Sequence, residues 1–67
     1  MQDEIGNAAG VVWEFLDQHG DTVLVTLKDR TGLSEGILLM ALGWLAREEK
    51  VTPLKEGRTI RVSLTNP

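Results

Sequence analysis

The chain has no cysteine, one histidine, one phenylalanine and two prolines. Without cysteine there is no disulfide to staple a small fold and no thiolate metal site. Nor does any apolar run approach the length of a membrane span, so no membrane partner is expected. The opening Met1-Gln2-Asp3-Glu4 lacks the basic-then-apolar build of a secretion signal, and the expected setting is cytoplasmic. What is present is a 42% apolar content that includes Trp13 and Trp44, enough for a packed core and too much for a disordered chain. At 67 residues that core belongs to one domain, 1–67, near the lower limit of unaided folding. Ordering a chain costs roughly 1.5 kcal/mol per residue, so a domain this short gains from any further burial, self-association included.

The net charge of −3 is unevenly spread. Residues 1–46 carry two bases, Lys28 and Arg30, against seven acids. Residues 47–67 carry five bases, Arg47, Lys50, Lys55, Arg58 and Arg61, against three acids. Dedicated nucleic-acid domains are basic overall, so the total argues against that role and only the C-terminal third leaves room for it.

The chain turns on Ser34–Lys50, SEGILLMALGWLAREEK. Ser34 can cap a first helical turn, and the stretch runs on without proline to charged residues. At about 100° per residue, Ile37, Leu38, Ala41 and Leu45 share one face. Gly36, Leu39, Met40, Gly43 and Ala46 lie largely opposite, with Arg47 and Lys50 beside them and Trp44 on the border. A helix apolar on both sides needs a second cover.

Before it, Asp3–His19 reads as a helix with Asp3 or Asn7 as cap, and with Ile5, Ala9, Val12, Trp13 and Leu16 at helical spacing. Gly6, Ala9 and Gly10 form a small-residue patch in which each glycine costs on the order of 1 kcal/mol of helix propensity, which predicts an element packed closely on the patch. His19-Gly20 ends that helix. Thr22-Val23 is expected as a short strand leading into a helix over Leu24–Thr31, with Leu24, Leu27 and Val25 inward; the alternative is one strand through Leu27. Thr31-Gly32-Leu33-Ser34 is then the turn of a helix-turn-helix. After Lys50 the period becomes two. Val51–Leu54 and Thr59–Leu64 form a hairpin turned at Glu56-Gly57, with Ile60, Val62 and Leu64 inward and Pro53 confining its strand to an edge. Helix, strand, helix, helix, hairpin is α+β, a winged helix-turn-helix with a C-terminal wing.

Two segments, Ala9-Gly10-Val11-Val12-Trp13 and Ala41 through Val51 (ALGWLAREEKV), carry a resemblance. Together they resemble a family of small, stand-alone prokaryotic winged helix-turn-helix proteins of uncharacterised function, in which A-G-x-[IV]-W in the first helix accompanies A-L-G-W-L-x-R-E-x-K-[IV] in the third. The resemblance spans the chain and implies the fold and a tendency to self-associate; it brings no catalytic residues.

The residues themselves offer little chemistry. Asp17-x-His19-x-Asp21 contains metal-ligating types, but a closed site wants four ligands, and the same residues are ordinary at a helix end and turn. No nucleophile constellation and no Gly-Lys-Ser/Thr phosphate loop exist. Neither cofactor, metal nor catalysis is expected. The expected function is a non-catalytic interaction module that homodimerises through its third helix, using Gly36, Leu39, Met40, Gly43, Trp44, Ala46 and Arg47. The alternative is a DNA-binding transcriptional regulator that grips phosphates with Lys28, Arg30, Arg47, Lys50, Lys55, Arg58 and Arg61. Such contacts position a protein on a duplex without specifying a sequence.

Overall fold

In the computed structural model, which describes residues 2–65, the helices are α1 (Gln2–His19), α2 (Leu24–Thr31) and α3 (Glu35–Arg47). The strands are β1 (Thr22–Val23), β2 (Val51–Glu56) and β3 (Thr59–Leu64). They pair antiparallel in the order β1-β3-β2. Three helices on a small antiparallel sheet make the α+β winged helix-turn-helix expected from the hydrophobic periods.

Each boundary has a local cause. Gly20, at φ 79°, closes α1 by donating its amide to Leu16 O at 2.8 Å; only a residue without Cβ takes that conformation freely. Gly32, at φ 73°, closes α2 by donating to Lys28 O. Ser34 caps α3, its Oγ accepting from the Ile37 amide at 3.3 Å. Asp3 and Asn7 do not cap α1, because both lie inside it.

Helix α3 stops three residues short of the Lys50 end that its sequence predicts. The Glu49 amide donates to Ala46 O at 3.0 Å and the Lys50 amide to Leu45 O at 2.8 Å. That pair of bonds is the Schellman closure, with Glu49 in the left-handed position at φ 59°. A side chain there costs about 1–2 kcal/mol, part of which glycine would return as unfolded-state entropy. Glu49→Gly is therefore expected to stabilise the domain by about 0.5–1 kcal/mol, raising Tm by about 4 °C. A thermal melt by circular dichroism checks this, and an unchanged or lower Tm would show that the Glu49 backbone is not strained.

One core holds the elements together. Val12, Leu16, Leu27, Leu38, Ala41 and Val62 are at most 1% exposed, and α1 packs on α3 while α2 and β3 close the far side. Val62 is buried, and Ile60 and Leu64 pack against the core from the same face of β3, as the alternation predicts. β2 lies at the sheet edge, where Pro53, opposite Val62, can be accommodated. β2 also runs to Glu56, so the hairpin turns at Gly57-Arg58 rather than at Glu56-Gly57.

Two inward assignments fail. Trp13 is 41% exposed, because it sits at the rim of the apolar arc of α1. Val25 is 68% exposed, because at about 100° per residue it lies nearly opposite the buried Leu27 on α2. Ala8 and Leu42, outside the expected core, are buried. The packing expected on the small-residue patch of α1 is met at Ala9, which is buried, and not at Gly6 or Gly10, where an added Cβ meets nothing within 4 Å.

Candidate functional site

The outward face of α3 is built by its wheel. Leu38, Ala41, Leu42 and Leu45 are buried, so the residues about half a turn away face out. Gly36, Gly43 and Arg47 run along the centre of that face at i, i+7 and i+11, flanked by Leu39 and Met40. Leu39 is 48% exposed and Met40 49%. Open space surrounds Gly36 and Gly43, so the centre of the face is a shallow trough between two apolar ridges. Five of the residues expected at an interface (Gly36, Leu39, Met40, Gly43 and Arg47) thus share one exposed surface. Ala46 is only its edge, half-buried and packed against the core. Trp44, 48% exposed, stands on the flank nearer α1.

There Trp44 meets residues that periodicity alone does not single out. Together with Trp13, Gly6, Gly10, Leu45 and Lys50 it lines an open groove of about 410 Å³ between α1 and α3. Gly6, Gly10 and Trp13 fall at i, i+4 and i+7 of α1 and so form one strip, but its meeting with Trp44 depends on α1 packing beside α3.

The basic residues do not converge. Lys28 and Arg58 border a groove among α2, the start of α3 and the wing, together with Glu35. Arg30 and Arg61 border another, with His19 and Asp21. Lys50 lies on the tryptophan groove, whereas Arg47 is exposed at the end of α3 and Lys55 on β2. Arg61 is already engaged, its Nε donating to Glu56 Oε1 at 2.9 Å. This is the one ion pair among the described residues, and at about 40% exposure of each side chain it is worth little. The first turn of α3, where a recognition helix meets base edges, offers Glu35 and Gly36. His19 is committed to a ring contact with Phe15, centroids 4.3 Å apart. Among the described residues no group of three His, Asp or Glu side chains is placed to share a metal ion, and no helix is long and apolar enough to cross a membrane.

Comparison with known proteins agrees with this architecture. Residues 1–64 match the family described as Winged helix-turn-helix domain (DUF2582). The chain is also 34% identical over 61 residues to the uncharacterised protein MJ1608 of Methanocaldococcus jannaschii, covering 87% of this chain and 86% of that protein. No solved structure matches. The chain belongs to this winged helix-turn-helix domain family.

Proposed function

We propose that this member of the winged helix-turn-helix family is a non-catalytic interaction module that pairs with a second copy of itself through the outward face of α3. The observation that carries the reading is the trough of Gly36 and Gly43 between the half-exposed Leu39 and Met40. An isologous contact must be self-complementary, and this face is. Two α3 helices set antiparallel about a two-fold axis that crosses the outward face at the level of Ala41 along the helix bring Leu39 and Met40 of one copy over the partner's Gly43. The same axis brings Arg47 beside the partner's Glu35 and Gly36. Large opposes small and plus opposes minus in one register. Trp44 flanks the contact, and Trp and Arg are the side chains that most often anchor interfaces.

Light scattering over a concentration series tests the reading. The expected mass is twice the 7.4 kDa of one chain, falling to one chain on Met40→Glu, which sets a carboxylate in the apolar seam. A wild-type monomer at all concentrations, or a dimer unmoved by Met40→Glu, removes this face from self-association.

The runner-up is a DNA-binding regulator, favoured by the helix-turn-helix itself and by the exposed Arg47 and Lys50 that follow it. Against it stand the net charge of −3 and the dispersal of the bases over separate grooves.

A further inference from the structure

The groove between α1 and α3 is unlike the others on the surface. Both tryptophans of the chain line it, one from each helix. Each tryptophan keeps more than two-fifths of its surface exposed, and the two do not pair, Phe15–His19 being the one aromatic pair among the described residues. The rest of the α1 wall is Gly6, Ala9 and Gly10, and at either glycine the space for a side chain is open. Leu45, 5% exposed, supplies an apolar floor. One charged side chain among the described residues lines the groove, Lys50, and it forms no ion pair with another described residue. Its backbone amide donates to Leu45 O in the hydrogen bond that closes α3, which fixes the root of the side chain beside the groove.

Small-molecule sites are concave, mostly apolar and aromatic, with a few placed polar groups, and have volumes from about 300 Å³ upward. The groove, at about 410 Å³, fits that description. We propose that it is a binding site for a planar aromatic anion, a fused-ring carboxylate in chemical class. The ring system would lie over the glycine strip between the indoles, where offset and edge-on aromatic contacts are favourable, and the carboxylate would meet Lys50. The site does not rest on self-association, because its walls and its cation all come from one chain.

The test titrates 2-naphthoate, and its uncharged counterpart 2-naphthamide, into isotope-labelled protein while NMR follows the indole N–H resonances of Trp13 and Trp44. Wild type and Met40→Glu are run in parallel. Both resonances are expected to move together and to saturate with a Kd on the order of 1 mM or tighter. The amide is expected to bind about fivefold more weakly, the scale of one exposed ion pair, and Lys50→Gln to erase that difference. Gly10→Leu fills the notch with a better helix former, so the fold is kept and the saturable movement is lost. Absence of saturation in both backgrounds overturns the site, as does binding that survives Gly10→Leu. Equal affinity for acid and amide overturns the assignment to an anion. Binding to Met40→Glu alone supports the site and places it partly under the second copy. Because the readout is the groove's own indoles and not molar mass, a protein that proves monomeric leaves the titration equally decisive.

Discussion

Leu38→Ala is expected to cost about 3 kcal/mol of stability, whereas Leu39→Ala, one residue along the same helix, is expected to cost less than about 0.5 kcal/mol in the monomer. The side chains are identical and their helix propensities equal, so only their surroundings differ. Leu38 is 1% exposed and packs in the core; truncating it removes transfer energy and leaves a cavity that close-packed neighbours refill only in part. Leu39 is 48% exposed, so its methyls already face water and alanine is the slightly better helix former. For a domain of this size the first change lowers Tm by about 12–24 °C and the second by no more than about 4 °C. Thermal melts at two concentrations, one below and one above dissociation, separate the contributions. Leu39→Ala should become costly only where the dimer is populated, because a partner that binds only the folded state stabilises by mass action. If it costs as much as Leu38→Ala at every concentration, the outward face of α3 is covered within the chain and has nothing left to offer a second copy.

That pair of leucines also marks what the sequence makes legible. Elements announced by chemistry peculiar to their position were readable: the cap at Ser34, the left-handed glycines at 20 and 32, the edge proline at 53 and the alternation of Ile60, Val62 and Leu64. Residues whose fate depends on how far the core extends were not. Trp13 is apolar and close to the right spacing, yet a core centred on Leu16, Leu27 and Leu38 is exhausted before it reaches it. Val25 is apolar but stands nearly opposite Leu27 on a helix too short to show its inward face. Leu42 and Ala8 lay hidden for the opposite reason. In a helix apolar on nearly every side, periodicity has little contrast, so a buried leucine between Leu38 and Leu45 does not stand out. The end of α3 escaped too, because Glu48, Glu49 and Lys50 are all good helix formers and the left-handed residue that stops the helix is not a glycine. For the candidate site, the ridge-and-trough face was legible from the wheel, but the tryptophan groove was not. It exists only because α1 packs beside α3, a juxtaposition that no local pattern encodes.

Gly43→Arg separates the two readings of α3 because they predict opposite signs. Gly43 lies at the centre of the outward face, with nothing within 4 Å of its would-be Cβ, so an arginine there can extend into solvent without disturbing the monomer. Its helix propensity is also better than glycine's by somewhat under about 1 kcal/mol, and a thermal melt should show the monomer intact. In the self-associating protein the same guanidinium is forced against the partner's Leu39 and Met40, and the two-fold axis presents the charge twice. An unpaired charge placed in a desolvated contact costs about 3–5 kcal/mol, so dissociation should become at least about a hundredfold easier, leaving a monomer in sedimentation or light scattering at micromolar concentration. If the face instead meets DNA, the change adds a cation where the duplex lies. Binding to a mixed-sequence duplex should then tighten, and the dependence of log K on log salt should steepen by about 0.9, the slope for one more phosphate neutralised. A monomer with no gain in duplex affinity assigns the face to a second copy of the chain. A steeper salt slope with unchanged mass assigns it to nucleic acid and sets the homodimer aside.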